Sequence, residues 1–138
     1  MTLANALLSI VGATMAVSAL GMLWYSPLLF GTLWMAYKNK TPKQISEEGG
    51  VAAALVASII GHALGMITLY YVVERFVIVH TIFEALTLSL LLGCLIFTSQ
   101  IAHAAYNKVP VGMFLIDHTY DIAVMVLGAL VIGLVTGA

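Results

Sequence analysis

Four long apolar runs, separated by short polar stretches, dominate the pattern of the chain. Each run is long enough to cross a bilayer, since about 20 helical residues span about 30 Å of hydrocarbon. The first run lacks the basic segment that begins a secretory signal, so we expect it to be retained as a true span. The pattern predicts an all-α fold: one integral membrane domain, residues 1–138, built as a four-transmembrane-helix bundle. The predicted spans cover residues 3–23, 51–73, 80–106 and 111–135.

The stretch between the first two spans, residues 24–50, is polar and rich in aromatic residues. Aromatic rings at the end of a span are typical of the membrane–water interface, so we interpret them as an interfacial anchor, with a lid or a lipid-contact surface as the alternative. Ser26 and Pro27 fit the N-cap and first residue of a short interfacial helix. Thr41 and Gln44 have the spacing of a capping box. The predicted anchor consists of Trp24, Tyr25, Phe30 and Trp34.

Small residues recur at helical spacing in the first two spans, and such faces let a second helix approach closely. In the second span Gly61 and Gly65 form a GxxxG pair, with Ala54 and Ser58 on the same side. Both faces are therefore predicted to be packing faces. The face on the first span comprises Asn5, Ser9, Gly12, Ala16 and Ala19.

The last span contains two carboxylates in an otherwise apolar segment. Asp117 and Asp121 are four residues apart and therefore share one helix face. An isolated carboxylate in hydrocarbon is very costly, so this face should point into the bundle. Counted from one side of the membrane, His62 lies about 11 residues into its span and Asp121 about 10, which places both near the midplane. The predicted polar column is His62, Gln100, His103, Asp117, His118 and Asp121, with Asn107 at its end.

Three roles are open for this column. It can be structural, with hydrogen bonds between helices that hold the bundle together. It can be a proton or cation path in which Asp121 and His62 exchange protons. It can also bind a metal, although the sequence has no HxxxH or HExxH pair to place two ligands on one helical turn. We favour the structural role, and the metal candidates are His62, His103, His118 and Asp121.

The remaining polar residues in the spans have simpler interpretations. His80 is interpreted as an interfacial residue without a role. Glu84 is close enough to the boundary to reach headgroups or water. Thr119 and Tyr120 are expected to pack or to form hydrogen bonds rather than to react.

Composition supports lipid as the solvent. The 138 residues are 62% hydrophobic and 8% charged, against roughly 25% charged in an ordinary soluble domain. A net charge of −1 without a basic tract argues against nucleic-acid binding.

The single cysteine, Cys94, excludes a disulfide within the chain and is interpreted as apolar filler. Because no nucleophile–base pair, phosphate loop or cofactor motif is present, we expect neither an enzyme nor a bound cofactor.

The basic residues predict an orientation in the cell membrane. The first and third loops carry four lysines, whereas the second carries only Arg75. Because cytoplasmic loops hold an excess of Lys and Arg, we expect residues 24–50 and 107–110 in the cytoplasm and both termini outside. The four lysines are Lys38, Lys40, Lys43 and Lys108.

Several motifs together resemble a known family. They are the run Trp24-Tyr25-Ser26-Pro27, then Phe30-Gly31 and Trp34-Met35, Thr41-Pro42 with Ile45 behind it, and a last span with polar residues before a Gly-rich end. They are similar to domain-of-unknown-function family 1761, small uncharacterised integral membrane proteins. The resemblance covers nearly the whole chain and implies a four-helix membrane protein of bacterial type. It brings no established activity, substrate or catalytic residue.

Together these observations favour a structural or accessory component of a membrane assembly, in contact with the lipid bilayer and with a second copy or another membrane protein. The alternative is a homo-oligomeric, proton-coupled transporter or channel for a small solute or ion. Four short helices enclose little volume, so its pathway would form between protomers.

Overall fold

The computed structural model of the chain describes residues 2–47, 50–76 and 81–137, and of Arg75 and Phe76 only the backbone. Within these ranges the chain forms helices and no strand, so the all-α prediction is confirmed. Four helices are long, and two short ones follow the first. They are α1 (Leu3–Trp24), α2 (Gly31–Tyr37), α3 (Pro42–Glu47), α4 (Val51–Tyr71), α5 (Ile82–Tyr106) and α6 (Val111–Thr136), with a π-helical turn, Val72–Phe76, after α4.

The four long helices are those that the apolar runs predict. The candidate spans measure 22, 24, 25 and 26 residues, and all are apolar enough to cross a membrane. The third predicted span starts at residue 80, but α5 starts at Ile82 because Thr81 is its N-cap. The interpretation of His80 falls outside the described residues.

Hydrogen bonds of the caps explain where two of these helices begin. The Thr81 hydroxyl accepts from the Glu84 N–H at 3.2 Å, and the Glu84 carboxylate accepts from the Thr81 N–H at 3.1 Å. Glu84 therefore stabilises the start of α5. The predicted capping box at α3 is also present, with the Gln44 side chain accepting from the Thr41 N–H at 2.8 Å.

The predicted helix start at Pro27 is wrong. Residues 25–30 form turns, and α2 begins at Gly31. The Ser26 hydroxyl accepts from the Leu28 N–H at 3.2 Å, and the Ser26 carbonyl accepts from the Gly31 N–H at 2.9 Å. These bonds use Ser26 to close a tight turn between α1 and α2.

The packed interior lies between α1, α4, α5 and α6, with α6 in contact with each of the other three. Close approach depends on glycines in two places. A Cβ at Gly93 would lie 3.0 Å from the Ile122 Cα, so the α5 and α6 backbones nearly touch there. A Cβ at Gly128 would overlap the Met66 sulfur of α4. The buried apolar residues are Ala13, Val17, Met66, Leu69, Tyr70, Val73, Ala85, Ala129 and Ile132.

The two predicted small-residue faces differ in how they pack in the structure. On α1, Ser9 is buried and Gly12 lies against Val131, but Asn5 and Ala19, at the ends of the predicted face, are exposed. The buried line of α1 runs instead through Ser9, Ala13 and Val17.

The α4 face makes no such contact at its two glycines with the part of the chain that the structure describes. Gly61 and Gly65 are exposed, and among the described residues nothing lies within 4 Å of a Cβ built at either position. Residues 51–60 are all exposed as well, Ala54 and Ser58 included. Only the C-terminal half of α4 packs into the bundle, through Met66, Leu69, Tyr70 and, past its end, Val73.

Candidate functional site

Asp117 is held by two aromatic side chains from the segment that follows α1. The Tyr25 hydroxyl and the Trp34 indole N–H each donate to Asp117 Oδ1 at 2.9 Å. Hydrogen bonds to an ionised acceptor are stronger than those between neutral groups. The carboxylate therefore ties α6 to the end of α1 and to α2.

The predicted interfacial anchor folds onto α6. The Trp24 indole N–H donates to the Ile116 carbonyl at 3.1 Å, and the Trp24 ring packs on Phe30 with centroids 4.8 Å apart. The Tyr25 and Trp34 rings meet edge to face at 5.8 Å. We call Trp24, Tyr25, Phe30 and Trp34 the aromatic cap. Sequence analysis missed its link to Asp117, although the polar atoms of partly buried Trp and Tyr usually require partners.

The environment of Tyr25 keeps its hydroxyl protonated. Burial raises the pKa of Tyr25 well above its ordinary range, and the negative charge of Asp117 raises this pKa further. The phenol is therefore protonated at neutral pH and can donate its hydrogen to Asp117.

A second hydrogen-bonded group joins α1, α4 and α6. The Tyr120 hydroxyl lies 3.0 Å from His62 Nε2, and the Ser18 hydroxyl lies 3.1 Å from His62 Nδ1. In the neutral imidazole one nitrogen donates and the other accepts, so both partners can be satisfied together. Gly21 makes room, because a Cβ there would lie 2.5 Å from the Tyr120 hydroxyl.

His62 therefore meets Tyr120 where the sequence suggested Asp121. The two positions are adjacent on α6, so the depth of His62 in the bundle agrees with the estimate from residue counting. Successive residues on a helix point about 100° apart, however, and the rotation of α6 turns Tyr120 towards α4. Tyr120 also contacts the aromatic cap, 5.3 Å from Tyr25 and 5.9 Å from Trp24 between ring centroids.

His118 and Asp121 form a third group, within α6. His118 Nδ1 lies 2.8 Å from Asp121 Oδ2, and the side chains are 22% and 40% exposed. The His118 ring packs on Phe114 at 4.6 Å and faces Phe97 at 6.4 Å between centroids. Asp121 is thus shielded on one side and open on the other.

The remaining predicted residues surround one small cavity at the α5–α6 end of the bundle. The cavity has a volume of about 180 Å³, and its polar lining residues are Gln100, His103, Asn107, Asp117 and His118. The structure thus brings together most of the predicted column. It separates His62, which belongs to the Tyr120 group, and it links Asp121 only to His118.

The four metal candidates do not gather into one site. Among the described residues, no three His, Cys, Asp or Glu side chains lie near enough to hold a metal ion. His62 bonds to Ser18 and Tyr120, while His118 bonds to Asp121. The geometry therefore gives the metal hypothesis no support.

We predict that Tyr25→Phe lowers the free energy of unfolding by about 1–2 kcal/mol, because it removes one donor to Asp117. Tyr106→Phe is the matched control, since Tyr106 is 89% exposed. Reversible unfolding in mixed micelles measures both variants. Equal stability of the two variants would show that the bond to Asp117 contributes nothing.

Comparison with known proteins adds one finding. The chain matches DUF1761, described as a protein of unknown function, over residues 8–133. That range includes α4, α5, the aromatic cap, Asp117 and the Tyr120–His62 pair. No curated protein and no solved structure matches the chain. The match covers most of the chain and agrees with the resemblance of the Trp24–Pro27 block, so the protein belongs to the DUF1761 family.

Proposed function

We propose that this chain is a non-catalytic, structural or accessory component of a cell-membrane assembly, and that it self-associates through α4. The proposal rests on one observation: the interior polar groups form hydrogen bonds that join different helices. Asp117 accepts from Tyr25 and Trp34, and His62 lies between Ser18 and Tyr120. Within lipid no hydrophobic force draws helices together, so such contacts specify the arrangement of a bundle.

The exposed face of α4 supports self-association. Nothing in the described chain lies within 4 Å of a Cβ built at Gly61 or Gly65. Ala54 and Ser58 on the same side are exposed, and Ser58 also lines a small cavity between α4 and α1. A second copy offers the same face, and two helices of this kind can bring their backbones close enough for extensive van der Waals contact. The proposed partner is therefore a second copy of the chain.

We predict that Ser58→Cys, in a Cys94→Ala background, forms disulfide-linked dimers when proteoliposomes are oxidised. The unmodified chain is the control, because its Cys94 is exposed on α5 and the chain should stay monomeric under the same oxidation. Adding Gly65→Ile should abolish the Ser58→Cys crosslink by keeping the helices apart. Efficient crosslinking of Cys94 instead would exclude α4 as the contact face.

The proposed orientation places both termini outside and residues 24–50 and 107–110 in the cytoplasm, in line with the lysine distribution. We predict that an impermeant thiol reagent labels Thr2→Cys on intact cells, and Lys43→Cys only after permeabilisation, both in the Cys94→Ala background. Both positions are exposed and lie outside the long helices, so accessibility to solvent does not separate them. The reverse labelling pattern would invert the topology.

One observation supports the alternative function, a proton-coupled transporter or channel. Asp121 lies within a membrane-spanning helix, pairs with His118 and leaves 40% of its side chain exposed. Ionisable residues at such depth often mark ion or proton paths.

Asp121→Asn separates the two functions. If the structural proposal is correct, proteoliposomes of the native chain carry no proton flux above empty vesicles, and Asp121→Asn lowers thermal stability by weakening its bond to His118. A native proton flux that Asp121→Asn abolishes, while the variant still purifies folded, would replace the proposal with transport. The readouts are a pH-sensitive dye inside the vesicles and thermal unfolding in detergent.

A further inference from the structure

Two adjoining cavities of opposite character lie where α5 and α6 meet their connecting turn. The polar cavity has a volume of about 180 Å³ and the apolar one about 320 Å³. Ala104, Val109 and Phe114 line both and form the ridge between them. The apolar cavity has only apolar lining, its other members being Ile101, Ala105, Val111 and Leu115. A molecule with a polar head and an apolar chain matches this pair.

The polar cavity is lined by Asp117, and the described residues donate hydrogen bonds to only one of its two carboxylate oxygens. Both donors to Asp117, from Tyr25 and Trp34, bond to Oδ1. Oδ2 accepts no hydrogen bond from the described residues, and their ion pairs do not include Asp117. No Lys or Arg among the described residues lines the cavity. A cation that donates hydrogen bonds would complete the coordination of this carboxylate.

We propose that the polar cavity binds a primary ammonium group carried by an amphiphile of the bilayer, the headgroup chemistry of an aminophospholipid. An ammonium group presents three N–H donors. Asp117, Gln100 and Asn107 line the same small volume, and Asp117 Oδ2 and the two amide oxygens are the acceptors that these side chains can supply. A quaternary ammonium has no N–H to donate and is recognised by several aromatic faces, whereas Phe114 is the one Phe, Tyr or Trp in the described lining.

Depth along the helices agrees with a headgroup site. Asp117 follows the first residue of α6, Val111, by six positions, or about 9 Å at 1.5 Å per residue. His103 lies three positions before the end of α5 at Tyr106. The 26 residues of α6 measure about 39 Å, so about 4–5 Å at each end extends beyond a hydrocarbon core of about 30 Å. The polar cavity would therefore reach from the interfacial layer into the outer edge of the hydrocarbon. The neighbouring apolar cavity would then receive the first part of the acyl chain of the same molecule.

The test compares lipids that differ only in the methylation of the amine. The chain is placed in bilayer nanodiscs of phosphatidylcholine with phosphatidylethanolamine of identical acyl chains as a minor component, and native mass spectrometry counts the lipids that stay bound. We expect bound lipid to be enriched in phosphatidylethanolamine by about tenfold over its share of the bilayer, since a hydrogen bond to a charged group corresponds to at least that factor. Bound lipid in the same proportion as the bilayer would overturn the proposal.

Variants of cavity residues that do not hold the bundle together test the location. Gln100→Leu and Asn107→Leu remove acceptors whose side chains form no hydrogen bond in the described structure, and together they should abolish the enrichment. Ser99→Ala is the matched control, because its exposed hydroxyl bonds to the Ile96 carbonyl and the residue does not line the cavity. Enrichment that survives the double variant would place the site elsewhere and overturn the assignment.

A soluble amine has the same headgroup chemistry, so a final arm separates the two sources. Free ethanolamine is added to the nanodiscs at millimolar concentration. If it leaves the bound phosphatidylethanolamine in place, the bilayer lipid is the ligand. If it displaces the lipid, the cavity still binds an ammonium group, but the ligand is a soluble amine and the lipid proposal is wrong. The site lies on α5 and α6, so these outcomes are independent of self-association through α4.

Discussion

The arrangement of this protein depends on one carboxylate in an otherwise largely apolar helix. Asp117 lies near the start of α6, where an unpaired ionised group would be very costly. Tyr25 and Trp34 both donate to its Oδ1, and the Trp24 indole adds a bond to the adjacent carbonyl of Ile116. The segment that begins at Trp24 is therefore folded against α6 as the aromatic cap.

Tyr120 extends this constraint towards the middle of the bundle. Its ring contacts the aromatic cap, and its hydroxyl reaches His62 on α4, next to Ser18 on α1. Three helices are thus fixed relative to one another by one side chain, for which Gly21 leaves the space. The two proposed contact surfaces lie outside this interior: the small-residue face of α4 and the paired cavities beside α5 and α6.

Much of the site could be anticipated by counting residues, but its contacts could not. The rise per residue placed His62 and the middle of α6 at one depth, and the structure agrees to within one position. Counting does not determine how far each helix is rotated about its own axis. Packing determined that rotation, through contacts such as that of Gly93 with Ile122. As a result the Tyr120 hydroxyl faces His62, and Asp121 pairs with His118.

The sequence alone determined the solvent, the helical class, the number of spans and most of their ends, because hydrophobic run length and cap residues act locally along the chain. The tertiary structure decided which polar atoms meet. It paired Asp117 with Tyr25 and Trp34, more than 80 positions away along the chain. It also left Gly61 and Gly65 without a neighbour in the described chain. Both outcomes depend on the relative rotation and approach of helices distant in sequence, which a one-dimensional pattern does not contain.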